Sequence, residues 1–182
     1  MKYVALLRGI NVGGKTLIKM ADLKAAIEDA GFSEVTTLIA SGNVIFSSSE
    51  RNQAKIEDTL EKIIHARFKL PVRVMVYSRD QMEHVMRDVP KGWNTRKDIR
   101  MYVAFLKAPT TPSQVVSQMK PKEGIDEITE GPNVVYMATL MSGLTKSNIN
   151  KIIGTKIYQD MTMRNYNTTR KIYTLMKGNE GS

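Results

Sequence analysis

The sequence predicts an α+β protein: a tandem duplication of ferredoxin-like βαββαβ units with a linking helix and a C-terminal helix. Three observations carry this. "YVALLR" at residues 3–8 recurs as "YVAFLK" at 102–107. "SGNVIF" at 41–46 has a counterpart in "GPNVVY" at 131–136. Each half also alternates strand-like and helix-like periodicity in the same order. The predicted boundaries are 1–78 for the first unit, 79–99 for a linking helix and loop, and 100–182 for the second unit with its final helix.

The elements follow in order. Tyr3–Arg8 reads as a strand. Leu23, Ala26, Ile27 and Ala30 share one face of a helix over 20–30, and Gly31 suits the position after its end. "VTTLIA", a tight "SGN" turn and "VIFSSS" make a hairpin. Ile56, Leu60, Ile63 and Ile64 line one side of a helix over 53–68, and "VRVMVYS" closes the unit. A helix over 79–89 links the halves. The second unit begins with "MYVAFLKA" and continues with a helix from Pro112 behind a capping Thr111. The hairpin "DEITEGPNVVYMAT", a helix near 145–155, a weak strand near 161–165 and a last helix over 168–177 complete it. "VRVMVY" (72–77) and "TMRNYN" (162–167) occupy matching places, 29 residues past Asn43 and Asn133.

The two units differ in length at one place. Tyr3 to Asn43 spans 40 residues, whereas Tyr102 to Asn133 spans 31. The surplus falls on "NVGGKTLIK", between the first strand and the first helix. Long glycine-bearing loops at the end of a rigid sheet are where sites are built.

That loop also satisfies a P-loop pattern, Gly9-x-x-x-x-Gly14-Lys15-Thr16. A working P-loop starts its helix at the Lys-Thr, so that amides and dipole face the phosphates. Here the helix pattern starts near Met20. No apolar strand ends in an aspartate to hold magnesium, and "VMVYSRD" is the nearest. A βαββαβ unit also has antiparallel neighbours, whereas P-loop NTPases use parallel sheets. Nucleotide hydrolysis is therefore not expected.

Composition narrows the class. There is no cysteine, so thiolate chemistry and disulfides are excluded. The run before Arg8 is too short for a signal sequence, and no stretch approaches the ~20 apolar residues of a membrane span. A cytoplasmic protein without membrane association is expected. The net charge is +9, and residues 146–177 hold seven basic residues against the single acid Asp160. Such a cluster suits a polyanion or a solvated face equally.

Topology brings candidate site residues together. The loop after strand one and the turn between strands two and three lie at the same end of the sheet. Arg8, Asn11, Gly13, Gly14 and Lys15 thus approach Ser41, Gly42 and Asn43. An arginine fork and glycine amides at one place suit a phosphate or carboxylate. The same residues have structural uses: Gly42-Asn43 can make the hairpin turn, and Asn11 can cap its own loop. "MRNYNTTRK" repeats the choice. Arg164, Asn165, Asn167 and Arg170 surround a helix start and can hold an anion, or Asn167 or Thr168 caps the helix. Tyr166 can stack on a base or pack. Trp93 reads as a packing anchor.

"LLRGINVGG", "SGNVIF" and "TMRNYNTTRK", in that order, resemble the bacterial family known as domain of unknown function 1697. The resemblance implies a two-subdomain α+β protein and brings no activity. Its signature is RGINVGG, without Lys15-Thr16. Tyr166 stands where a Trp is expected in an "RNW" type of motif.

The expected function is binding of a phosphate-bearing small molecule or nucleotide at the RGINVGG and SGN loops, without hydrolysis. Nucleic-acid binding through basic surfaces, with Tyr3 and Phe46 as strand aromatics, is the alternative; a protein-interaction module without a small ligand is the third. No catalytic constellation is recognisable. No cofactor is called for, and His65 and His84, on separate helices, make no metal site.

Overall fold

The computed structural model of the chain describes residues 1–13, 16–39 and 42–178. The first half forms β1 (Lys2–Leu7), α1 (Met20–Asp29), β2 (Ser33–Leu38), β3 (Asn43–Ser47), α2 (Gln53–Phe68) and β4 (Val74–Ser78). A linking helix α3 (Arg79–Arg87) leads to β5 (Ile99–Leu106), α4 (Pro112–Gln118), β6 (Asp126–Glu130), β7 (Val134–Leu140) and β8 (Met161–Asn165). Helix α5 (Tyr166–Lys177) ends the described chain. The strands make two four-stranded sheets, ordered β2-β3-β1-β4 and β6-β7-β5-β8, with every neighbour antiparallel. Both orders are the ferredoxin-like one. By compactness the chain divides into Met1–Met82 with Lys171–Ser182, and Glu83–Arg170. The later part of α5 thus counts with the first unit rather than with the sheet it follows. Among the described residues no helix is long and apolar enough to cross a membrane.

In the first unit the strand alternation sends Tyr3, Ala5 and Leu7 of β1 into a core with Leu23 and Ile27 of α1 and Ile56, Leu60 and Ile64 of α2. Val4 and Leu6, on the other face, are equally buried. Helix α2 starts behind Asn52, whose side chain accepts from Lys55 N at 3.1 Å. It ends at Lys69 in the left-handed region, φ 58. β4 is an outer strand, and α2 closes its free edge. Glu61 Oε1 accepts from Val74 N at 2.9 Å, Glu57 Oε1 accepts from Val76 N at 2.9 Å, and Gln53 Nε2 donates to Val76 O at 3.0 Å. Recurring every four residues, these three side chains form one helical stripe that replaces a missing neighbour strand.

The second unit departs from the sequence reading in its second helix. Residues 145–155 do not form an α-helix. Three short 3-10 helices, Met141–Lys146, Ile149–Ile152 and Ile157–Asp160, take its place. Ser147, Asn148 and Asn150 compete with a helical backbone, β-branched isoleucines add little, and Gly154 turns left-handed at φ 93. Asp126 fixes the break: its carboxylate accepts from Ser147 Oγ at 2.6 Å and Asn148 N at 2.8 Å. The last helix starts at Tyr166 rather than 168, and its capping side chain is Asn165, not Asn167 or Thr168. Asn165 Oδ1 accepts from Asn167 N at 2.9 Å.

Register corrects the letter match between the halves. Leu6 lies opposite Asn43, while its equivalent Phe105 lies opposite Val134, not Asn133. The true correspondence is therefore one residue away from the "SGNVIF"/"GPNVVY" match. Because strand side chains alternate, this slip moves Tyr136 to the face opposite that of Phe46. Phe46 belongs to the first core with the helices, whereas Met137, not Tyr136, fills the equivalent place in the second.

Candidate functional site

The connection from β1 to α1 covers residues 8–19, against 107–111 for the equivalent connection in the second unit. Four of its described residues are left-handed: Gly9 (φ 69), Asn11 (φ 54), Gly13 (φ 60) and Thr16 (φ 55). For a β-branched residue such as Thr16 this conformation is an outlier, and such strain clusters at binding loops. Asn11 closes the loop. Its Nδ2 donates to Ile18 O at 2.9 Å, its Oδ1 accepts from Ile18 N at 2.8 Å, and its own N–H donates to Thr16 O at 3.1 Å. The sequence placed Asn11 among ligand contacts; here its amide serves as the clasp that shapes the loop.

Ile10 anchors the loop to the β2–β3 turn. It is fully buried, and a Cβ on Gly42 would come within 2.7 Å of its Cδ1 and 2.8 Å of Leu7 Cβ. Leu7 N donates to Gly42 O at 2.8 Å. The two loops thus meet, as the topology requires. Leu38 pairs with Asn43, so the turn is the four-residue connection 39–42 and not a tight two-residue one. Asn43 is fully buried and its Nδ2 donates to Leu38 O at 2.9 Å, which makes it a turn support. Gly14, Lys15 and Ser41 lie outside the described residues.

Charge gathers at this sheet end. Arg8 is half-buried, and its N–H donates to Arg73 O at 2.9 Å, so two arginines occupy adjacent rungs. Arg73 was not among the sequence candidates. Its signal was available: β4 begins where β1 ends, so the residue before "VMVYS" faces Arg8. Helix α1 opens at the same end, and Lys19 before it makes no side-chain cap. Its first amides retain the partial positive charge of a helix start. Val12, Leu17 and Ile39, in the two loops, are exposed apolar side chains.

The "MRNYN" residues belong to the other compact unit. Arg164 is buried on β8; its guanidinium donates to Thr162 Oγ1 at 2.8 Å and Met163 O at 3.0 Å. Burial pulls this arginine down to about 10. Asn165 caps α5, as described, and Asn167 is exposed. Tyr166 is no stacking platform: it is buried, its hydroxyl donates to Asn94 Oδ1 at 2.7 Å, and Trp93 packs edge-on at 5.2 Å. Desolvation pushes its hydroxyl pKa up. Trp93 also meets Tyr136 edge-on, which fits a packing anchor. Tyr3 and Phe46 stack on each other within the first core. Among the described residues no group of three or more His, Asp or Glu side chains could hold a metal ion.

Fold and loops together define a class: α+β proteins with two ferredoxin-like units, the first carrying an enlarged, glycine-bearing strand-to-helix loop. The chain belongs to the DUF1697 family of proteins of unknown function, whose profile matches residues 1–136. Its structure is similar to that of the conserved bacterial protein SP0830 from Streptococcus pneumoniae. The TM-score is 0.84 at 25% sequence identity, over 96% of this chain and 98% of that one. No curated protein is detectably similar in sequence.

Proposed function

We propose that this protein binds a phosphate-bearing small molecule or nucleotide at the RGINVGG and SGN loops, without hydrolysing it. The observation that carries the reading is the junction of the two loops, Leu7 N to Gly42 O with Ile10 against Gly42, beside the adjacent arginines Arg8 and Arg73. An anion there meets guanidinium donors and glycine amides on a loop already held in shape by the Asn11 clasp. The start of α1 adds a dipole of favourable sign. Asn11 and Asn43 position the loops, and contact with the ligand falls to Arg8, Arg73 and the amides around Gly13.

Binding without hydrolysis is favoured by three features. Helix α1 begins at Met20, four residues past Thr16, so its first amides do not follow the Lys-Thr pair. The strands on both sides of β1 are antiparallel to it. β4 passes through Ser78 directly into α3 at Arg79, with no aspartate at its end.

The test is calorimetric titration with inorganic phosphate, pyrophosphate and AMP. A hydrogen bond to a charged group is worth about 1.5–3 kcal/mol. Arg8→Ala should therefore weaken binding by roughly 10–100-fold, with the unfolding midpoint of the free protein little changed. The reading fails if none of the three ligands binds, or if Arg8→Ala unfolds the protein and Arg8→Lys binds as tightly as wild type.

A further inference from the structure

We propose that the segment 141–160 of the second unit binds the phosphate backbone of double-stranded nucleic acid, a role separate from the small-molecule site. The ferredoxin-like topology calls for its second helix here, and the chain supplies three 3-10 turns instead. Each turn brings one lysine: Lys146 ends the first, Lys151 lies in the second, and Lys156 stands before the third. All three are exposed. No acidic residue occurs from Met141 to Gln159.

Some cations elsewhere in the chain are held by carboxylates. Lys24, Lys55, Lys62, Arg87 and Arg96 each lie within 4.0 Å of a carboxylate. Among the described residues, none of the three turn lysines makes such a pair. Their charge is directed at solvent, where a polyanion can use it.

The platform beneath them is fixed. Asp126 grips Ser147 and Asn148, Ile149 and Ile152 are buried in the second core, and Thr155 Oγ1 donates to Ile152 O at 2.7 Å. Binding then orders side chains only and leaves the backbone as it is. The chemistry selects the partner. Single-strand platforms need exposed rings for base stacking, but the one aromatic of the segment, Tyr158, packs against the second core. Membrane surfaces take continuous amphipathic helices, and these turns are interrupted at 147–148 and 153–156. Three exposed lysines along a fixed stretch with no acid and no exposed ring suit contacts to a phosphate backbone, which is sequence-independent duplex binding.

The test uses the full chain and a labelled mixed-sequence DNA duplex of about 20 bp, titrated by fluorescence anisotropy between roughly 50 and 200 mM KCl. Each lysine–phosphate contact contributes about 0.9 to the slope of log affinity against log salt. The K146Q/K151Q/K156Q variant should therefore lose about 2.7 from the slope, a roughly 40-fold difference over a fourfold rise in salt. Substituting the paired lysines, K24Q/K55Q/K62Q, should leave the slope unchanged. Circular dichroism checks the fold of each variant, and single substitutions, each worth about 0.9, replace the triple one if it misfolds. Equal slopes in wild type and the turn-lysine variant overturn the proposal. So does an equal loss in the paired-lysine control, which would mean bulk charge alone. Lysine-dependent binding to phosphatidylserine vesicles without duplex binding overturns it in favour of a membrane.

Discussion

Gly42→Ala tests whether the contact between the two loops of the first unit holds them in place. Gly42 has φ 76, and an added Cβ would meet Ile10 Cδ1 at 2.7 Å, Ile10 Cγ1 at 2.8 Å and Leu7 Cβ at 2.8 Å. Two costs add. A left-handed alanine costs about 1–2 kcal/mol, and forcing a methyl into a packed site costs about 1–3 kcal/mol more. Gly9→Ala is the built-in control. Its φ of 69 carries the same conformational cost, but its Cβ meets nothing within 4 Å. The difference between the two variants therefore isolates the contact, at about 1–3 kcal/mol. Urea unfolding followed by circular dichroism reads both, and Trp93 fluorescence separately follows the second compact unit. Adding Ile10→Ala to Gly42→Ala should be less damaging than the sum of the two single changes, because two of the three clashing atoms are gone and only Leu7 Cβ remains. Equal destabilisation by Gly42→Ala and Gly9→Ala, within about 0.5 kcal/mol, would refute the argument.

Two further perturbations follow from polar groups that hold strands and turns. Glu57→Leu removes the acceptor of Val76 N and should cost about 1–3 kcal/mol in urea unfolding, while Glu57→Gln, which keeps an acceptor oxygen, stays near wild type; equal costs would show that the edge seal is unimportant. Burial pushes the Asp126 carboxyl up, but bonds from Ser147, Lys122 N, Asn148 N and Thr139 outweigh it and hold the group below its ordinary value. A depressed folded-state value means stability that is present above the ordinary carboxylate range and lost as pH falls through the folded one. Asp126→Ala should then destabilise at pH 7 by about 1–2 kcal/mol, and its difference from wild type should shrink below about pH 4. A difference constant from pH 7 to pH 3 would refute the assignment.

Most of the first unit was legible because its signals are periodic. The Leu23-Ala26-Ile27 and Ile56-Leu60-Ile64 stripes give α1 and α2 within a residue, and β1, β3 and β4 are apolar runs. The second helix of the second unit was misread because "NKIIG" carries an apolar pattern without the propensity to continue it. What decides there is Asp126, a side chain more than twenty residues away holding Ser147 and Asn148, which no local window contains. The one-residue slip between the hairpins was invisible for a similar reason. The shared letters "NV" align well, but pairing with β1 and β5 sets the register. At the candidate site, topology was enough to bring the loops together, but Arg73, which the pairing of β1 with β4 sets beside Arg8, was left out. Topology was not enough to show that Asn11 spends its amide on Ile18, because that bond depends on a left-handed backbone at both Asn11 and Thr16.

The two units share one topology and depart from it at different connections, and this bears on where function resides. The first unit keeps both helices, seals its β4 edge with α2, and enlarges the β1–α1 loop. The second keeps a short loop at 107–111 and gives up its second helix for lysine-bearing turns pinned by Asp126. Both segments contribute core residues, Ile10 and Ile18 in the first unit and Ile149 and Ile152 in the second, but each carries a cost. Replacing a helix by 3-10 turns gives up regular hydrogen bonds, and the enlarged loop holds Asn11 and Thr16 in a costly conformation. On the readings proposed above, these departures at surface connections, which gather exposed lysines in one unit and adjacent arginines in the other, serve ligands. Both sets of charge suit phosphate. We propose one small anion for the Arg8–Arg73 end of the first sheet, whereas Lys146, Lys151 and Lys156 are spread along a chain segment. A phosphate series should therefore separate them: mononucleotide binding should respond to Arg8→Ala and ignore the lysine substitutions, and duplex affinity should do the reverse.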